Sequence, residues 1–81
     1  MKEYIVKTSQ QLGPILQGYR KTRKLTQAHV GRKVGLPQSV ISKLEFDPSS
    51  AAFARVFKLL TALDLELVVR SRDKNASRSE W

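Results

Sequence analysis

Residues 26–44 contain two short runs of helical periodicity separated by a glycine, and this spacing constrains the fold more than any other feature of the chain. Thr26 can cap the first run through its side-chain oxygen, and Val30 and Val34 then lie four residues apart on one face. Gly35 follows directly, where a left-handed glycine can close the helix C-terminus. The stretch therefore predicts two helices joined by a tight turn, which is the layout of a helix-turn-helix.

The second helix is predicted to begin at Pro37, because proline suits a first helical turn, where its missing amide is not needed. Its apolar positions are Val40, Ile41 and Leu44. Its polar positions, on the other side, are Gln38, Ser39, Ser42 and Lys43. Hydrogen-bonding groups beside a cation suit the base edges and phosphates of a DNA major groove. We therefore assign base reading to Gln38, Ser39 and Ser42, and a DNA backbone contact to Lys43.

An ordinary helical hairpin is the alternative interpretation, because any two amphipathic helices joined by a glycine-containing turn give the same pattern. Gly31 favours the more specific interpretation. A glycine in a helix interior costs about 1 kcal/mol relative to alanine. Its presence predicts that another helix backbone passes close to this position.

The order of residues along the motif resembles that of the Xre/Cro-type helix-turn-helix family of phage and bacterial repressors. The residues that carry the resemblance are Thr26, Gln27, Gly31, Gly35, Gln38, Ile41, Ser42 and Glu45. The resemblance implies that Gln27 lies near a DNA backbone phosphate and steadies Gln38, while the amides of its helix N-terminus favour the anion. It also implies a compact all-α domain of four to five helices, like that of lambda repressor.

Within this family, the chain more closely resembles the HipB-type antitoxins, which pair with HipA-like serine/threonine kinase toxins. This similarity rests on Glu45-x-x-Pro48, Phe57-Lys58-x-Leu60, Lys74-Asn75-Ala76-Ser77 and Glu80-Trp81. It implies a homodimer that represses its own transcription at palindromic operator DNA and neutralises a kinase toxin. One departure is Pro37, where HipB-type proteins can carry a basic residue, so the resemblance does not imply the operator sequence.

Charge and length agree with a small nucleic-acid-binding domain. The chain has 81 residues, enough for one domain close to the lower limit at which a single core supports folding. Its net charge of +8 favours a polyanionic partner, although basic residues that merely solvate the surface are the alternative. Four cations precede the motif, namely Arg20, Lys21, Arg23 and Lys24. We assign DNA backbone contacts to Arg20, Lys21 and Arg23.

The segments on either side of the motif are predicted to be helical. Thr8 and Gln11 have capping-box spacing, which predicts a first helix. Because of Gly13-Pro14, this helix either has a distorted start or begins near Gly13, and we favour the distorted start. A turn at residues 46–50 precedes a strongly apolar helix that should lie across the centre of the bundle and supply a subunit contact. Its two phenylalanines, Phe53 and Phe57, are expected in the core.

Residues 65–70 change from helical to nearly alternating periodicity and are rich in β-branched side chains, so they predict a short strand. A lone strand needs a partner, which is either the N-terminal arm at residues 4–6 or the same strand of a second subunit. We favour the second subunit, which the HipB-type resemblance also implies. The dimerisation residues would then be Leu65, Leu67, Val68 and Val69.

The predicted domain organisation is a DNA-binding and dimerisation domain at residues 1–70, followed by a flexible basic tail at residues 71–81. The tail is polar and charged, and it cannot bury enough apolar area to order itself. Trp81 is its one candidate anchor, because tryptophan is enriched among interface hot spots. The resemblance implies that Trp81 contacts the toxin; otherwise it is an incidental terminal residue.

Catalytic chemistry has little support in the sequence, so we expect no enzyme, no cofactor and no metal site. His29 is the only histidine, cysteine is absent, and Glu45 and Asp47 form no evident catalytic pair. No apolar run approaches the roughly 20 residues needed to span a bilayer, and MKEYIVK lacks the apolar core of a signal peptide. We therefore expect a cytoplasmic protein without membrane contact.

Two other functions fit parts of the sequence. A stand-alone Xre-type repressor without a toxin partner would use the same DNA-binding residues, with a tail of no special role. A small RNA-binding module is disfavoured, because recognition of single-stranded RNA usually relies on exposed aromatic side chains and residues 26–44 contain none.

Overall fold

The computed structural model describes residues 3–73, and within this range the chain folds into four α-helices and one 3-10 helix. The helices are α1 (Ser9–Thr22), α2 (Gln27–Val34), α3 (Gln38–Phe46) and α4 (Phe53–Ala62), with the 3-10 helix at Pro48–Ser50 between α3 and α4. The expected all-α architecture is confirmed.

The first helix begins at Ser9, four residues before Gly13. The side-chain oxygen of Gln11 accepts hydrogen bonds from the amides of Lys7 at 2.6 Å and Thr8 at 3.2 Å, so the capping-box spacing correctly marked this N-terminus. The helix continues through Pro14, which removes one backbone hydrogen bond in its second turn. The expected alternative of a start near Gly13 is therefore wrong.

The core takes at least one fully buried side chain from each of the four helices. Six side chains are at most 1% exposed, and one of them follows the C-terminal end of α4. They are Leu16, Val30, Ile41, Leu44, Leu59 and Leu63. Full burial of such a side chain contributes about 1.5 to 3 kcal/mol relative to exposure. Since α3 supplies two of them, Ile41 and Leu44, its inner face is held firmly and its outer face has a defined orientation.

The phenylalanines of α4 do not lie in the core, contrary to expectation. Phe53 is 68% exposed and Phe57 is 42% exposed, and their rings meet edge to face with centroids 5.1 Å apart. The buried stripe of α4 is formed instead by Val56, Leu59 and Leu60. Both rings lie beside this stripe, so they form an apolar patch on the surface of the subunit.

Residues 65–70 form neither a helix nor a strand within residues 3–73. Leu65 packs against the core, whereas Leu67, Val68 and Val69 are 54%, 67% and 89% exposed. An ion pair at 3.9 Å between Arg70 and Glu3 brings this segment near the N-terminal arm. A strand needs a hydrogen-bonded neighbour, so the predicted strand is not confirmed in the single chain, and its pairing across a dimer stays a prediction.

Candidate nucleic-acid interface

The helix-turn-helix is formed by α2 and α3, and local contacts explain how the chain turns between them. The hydroxyl oxygen of Thr26 accepts from the amide of His29 at 3.0 Å, and Gly35 closes α2 in the left-handed conformation with φ of 71°. The amide of Leu36 then donates to the carbonyl of Gly31 at 2.9 Å. The predicted cap and turn are both confirmed.

Gly31 lies where the chain returns towards α3. A Cβ at this position would come within 2.3 Å of the carbonyl oxygen of Leu36 and 3.4 Å of a side-chain carbon of Ile41. The predicted close approach exists, but the neighbouring backbone belongs to the turn and not to another helix. Glycine here lets the turn fold tightly against α2, which sets the angle between α2 and α3.

The third helix presents four polar side chains to solvent, namely Gln38, Ser39, Ser42 and Lys43. Pro37 is the N-cap residue of α3. It therefore lies one position before the first helical turn, in which we expected it. Its carbonyl accepts hydrogen bonds from the amides of Val40 and Ile41. The exposed residues share one face because Ile41 and Leu44 anchor the opposite face in the core. This face has the size and hydrogen-bonding character that a major groove accommodates.

A hydrogen-bonded chain of four side chains runs from the protein interior to this face, and we call it the polar relay. It consists of Arg20, Glu45, Gln27 and Gln38. The guanidinium of Arg20 holds the carboxylate of Glu45 through Nε at 2.5 Å and Nη2 at 3.1 Å. The amide nitrogen of Gln27 donates to Glu45 at 3.0 Å, and that of Gln38 donates to Gln27 at 3.3 Å. The structure thus brings Gln27 and Gln38 together.

Arg20 does not lie with the exposed cations, although we assigned it a DNA backbone contact. Arg20 is only 8% exposed, and its guanidinium also donates to the carbonyl of Leu25 at 2.8 Å. Three of the five N–H donors of this guanidinium are therefore used within the protein. Arg20 is thus a structural partner of Glu45, and its assigned contact with the DNA backbone stays a prediction.

Arg23 also points away from α3, because its guanidinium donates to the carbonyl of Leu63. Lys33 makes a similar contact, with its ammonium 3.2 Å from the carbonyl of Ala62. Both cations thus meet carbonyls at the C-terminus of α4, where positive charge is favourable. Arg23 is nevertheless exposed as a residue, and its assigned contact with the DNA backbone stays a prediction.

Lys21 and Lys24 are the cations that the structure places near the relay. They line a shallow depression together with Arg20, Leu25, Thr26, Gln27, Ala28 and Gln38. Lys24 adopts a left-handed backbone conformation with φ of 59°, and its amide donates to the carbonyl of Lys21 at 2.9 Å. We had not assigned Lys24 a site role. In the sequence, Lys24 is one of a run of four cations, and no feature distinguishes it from Arg23. In the structure, Lys24 lines the depression, whereas Arg23 contacts the carbonyl of Leu63.

Within residues 3–73, no group of three His, Cys, Asp or Glu side chains is arranged to hold a metal ion. His29 is exposed. No helix in the same range is long and apolar enough to cross a bilayer. Trp81, our expected toxin contact, lies outside the described residues.

Comparison with known proteins agrees with this geometry. A family model described as helix-turn-helix matches residues 16–69. Antitoxin HipB of Escherichia coli K12 is 31% identical over 67 residues, which cover 83% of this chain and 75% of that protein. Antitoxin HipB of Escherichia coli O6:H1 is also 31% identical over 67 residues, covering 83% of this chain and 70% of that protein.

Two solved structures have closely similar folds. A complex of a HipB variant with an O2 20mer has a TM-score of 0.84 at 25% identity, and the match covers 89% of this chain and 100% of that chain. A HipA-HipB-O2-O3 complex gives a TM-score of 0.83 at 24% identity, with 88% and 100% covered. Sequence and structure thus agree, and this chain belongs to the helix-turn-helix family and, within it, to the HipB antitoxins.

Proposed function

We propose that this protein is an antitoxin and transcriptional autorepressor that binds palindromic operator DNA as a homodimer and neutralises a HipA-like serine/threonine kinase. The single observation that carries the DNA-binding part is the outer face of α3. Gln38, Ser39 and Ser42 are all exposed on this face, while Ile41 and Leu44 hold the helix in the core. A rigid helix with exposed hydrogen-bonding side chains is what reading base edges requires.

DNA affinity would come mainly from the cations beside this face. Lys21 and Lys24 line the depression next to Gln27 and Gln38, and Lys43 lies on α3 itself. Each phosphate that a lysine neutralises releases condensed counterions, which supplies affinity without sequence preference. Gln27 positions Gln38 and approaches the DNA backbone. Phosphate contacts and base reading are therefore assigned to different side chains.

The homodimer is supported by apolar side chains that the single chain leaves exposed. They include Phe53, Phe57, Leu67, Val68 and Val69. Pairing of residues 65–70 with the same segment of a second copy would satisfy the backbone of both segments and cover part of this surface. A two-fold dimer with its two α3 helices about 34 Å apart binds half-sites one DNA turn apart, hence a palindrome.

The kinase partner is proposed from family membership. The relatives named above are antitoxins, and one solved HipB structure is a complex that contains HipA. We assign the kinase contact to the tail, with Trp81 as its anchor. The protein would act by binding alone, without catalysis of its own, and in the same compartment as its operator DNA.

The test is purification of the tagged protein from its native host, in three forms, with identification of stoichiometric partners. The forms are the full chain, a truncation lacking residues 71–81, and the full chain carrying Trp81→Ala. We expect a kinase-sized protein with the full chain and its loss in both altered forms. Binding of a duplex from the protein's own promoter should survive in all three.

Other outcomes would reject parts of the proposal. Recovery of the homodimer and operator DNA without a kinase would favour the stand-alone repressor. Retention of the kinase by the truncated chain would remove Trp81 from the model. Tighter binding to unstructured RNA than to any palindromic duplex would exclude the operator function.

A further inference from the structure

In the polar relay, each glutamine donates a hydrogen bond towards the interior and offers its carbonyl oxygen to α3 or to solvent. The buried carboxylate of Glu45 determines this direction. Arg20 contacts both oxygens of this carboxylate, and the side chain of Glu45 is 3% exposed. A carboxylate paired with arginine accepts hydrogen bonds and has none to donate. The group of Gln27 that lies 3.0 Å from Glu45 must therefore be its NH₂ group.

The direction of Gln27 determines which groups Gln38 presents to solvent. With its NH₂ turned towards Glu45, Gln27 offers its carbonyl oxygen to α3, and Gln38 donates one N–H to that oxygen at 3.3 Å. Gln38 is exposed, so its second N–H and its carbonyl oxygen are available to a ligand. One donor beside one acceptor matches the N7 and N6 amino group that adenine displays in the major groove.

The reversed direction would favour a different base. If Gln27 turned its NH₂ towards α3, the carbonyl oxygen of Gln38 would be occupied as an acceptor. Gln38 would then present two N–H donors, which match the N7 and O6 acceptors of guanine. The choice between the two directions depends on Glu45, because it is the member of the relay that can only accept.

We propose that Glu45 is a specificity-determining positioning residue, which fixes the direction of the polar relay and so makes Gln38 select adenine over guanine. This inference rests on the proposed reading of base edges by α3. Glu45 itself touches no base: it is 6% exposed and acts through Gln27. The proposal extends the recognition site from the surface of α3 into the protein interior.

The test begins with selection of binding sites from a randomised duplex library by the wild-type protein. A parallel selection with Gln38→Ala identifies the base pair whose preference depends on Gln38. We expect adenine at that position, preferred over guanine by about tenfold, which is within the range of a good bidentate contact. If the wild type selects no motif, or if Gln38→Ala leaves the motif unchanged, the proposed function of α3 fails before Glu45 is tested.

Two variants then remove the directional constraint in different ways. Gln27→Met breaks the relay and leaves the ion pair of Arg20 and Glu45 in place. The double variant Arg20→Met with Glu45→Met replaces the buried pair by apolar groups, an exchange that proteins often tolerate without loss of stability. Fluorescence anisotropy on the selected duplex and on its adenine-to-guanine counterpart gives the affinity ratio for each variant.

We expect the adenine preference to fall from about tenfold towards parity in both variants, because Gln38 can then adopt either direction. Lys24→Gln is the matched control, since it should weaken binding to both duplexes and leave their ratio unchanged. An unchanged ratio in Gln27→Met, or in the folded double variant, overturns the inference, as does a wild-type preference for guanine at the Gln38 position. Thermal melting establishes which variants are folded, and Gln27→Met provides the test even if the double variant is not.

Discussion

Gly13 and Gly18 of α1 provide a matched test of the packing between α1 and α3. A Cβ at Gly13 would lie 2.2 Å from the carbonyl oxygen of Glu45 and 3.3 Å from Cδ of Pro48. A Cβ at Gly18 would have no heavy atom within 4 Å, apart from its own helix and chain neighbours. Alanine at either position adds the same methyl group to the same helix, so the two variants differ in what that group meets and in the proline that follows Gly13.

The structure predicts opposite signs for the two substitutions. Alanine is about 0.8 to 1.0 kcal/mol more favourable than glycine in a helix interior, so Gly18→Ala should raise Tm by about 4 to 8 °C. Gly13→Ala has a smaller propensity gain, because a Cβ on the residue before Pro14 disfavours the helical conformation. Its methyl group would also overlap a backbone atom by more than 1 Å relative to the 3.4 Å lower limit of ordinary contact. Overpacking typically costs about 1 to 3 kcal/mol, and more when backbone must move. We expect a net loss of about 2 kcal/mol, or a fall in Tm of about 8 to 16 °C.

Thermal unfolding followed by far-ultraviolet circular dichroism measures both effects. Every variant must be compared at the same protein concentration, because dimerisation makes Tm depend on concentration. The reasoning is refuted if Gly13→Ala raises Tm as much as Gly18→Ala does. That result would mean that α1 does not approach the C-terminal end of α3 as closely as described, and the position of Glu45 in the polar relay would be wrong with it.

Three further predictions concern the ion pair, the cations and the exposed aromatic patch. Glu45→Ala should lower the free energy of unfolding by about 3 to 5 kcal/mol in chemical denaturation, because it leaves the charge of Arg20 buried and unpaired; a loss below about 1 kcal/mol would show that solvent reaches the pair. Lys24→Gln should reduce the dependence of log Kd on log salt by about one unit. Arg23→Gln should reduce that slope less and lower Tm, so equal slopes in the two variants would contradict the directions of these side chains. Phe57→Ser should weaken self-association in sedimentation equilibrium while the monomer keeps its helical content, and an unaltered dimer would exclude the patch from the interface.

The recognition motif was predictable because short-range rules govern it. The cap at Thr26, the left-handed Gly35 and the apolar spacing of Ile41 and Leu44 each act over a few residues, and the structure contains all three features. The exposure of Gln38 follows from the same periodicity, because burying one face of a helix exposes the other. Local sequence therefore sufficed to locate the candidate site and to name its outer residues.

Directions of long side chains were not predictable, because they depend on groups far away in the chain. Arg20 meets Glu45 across 25 positions, and Arg23 meets Leu63 across 40. Both cations looked equivalent to Lys24 in a single basic run. In the structure, Arg20 forms an ion pair, Arg23 contacts the C-terminus of α4, and Lys24 is exposed. These three environments depend on how α1, α3 and α4 pack together.

The sequence by itself determined the helix-turn-helix, the all-α class and the basic character of this protein, because periodicity, capping and net charge are properties of neighbouring residues or of the whole composition. Only the tertiary structure decided that Phe53 and Phe57 lie outside the core and that Glu45 connects the interior with Gln38. The physical reason is that burial and hydrogen-bond pairing depend on which elements pack together. A residue's own apolarity or charge is compatible with several such environments, and packing selects one of them.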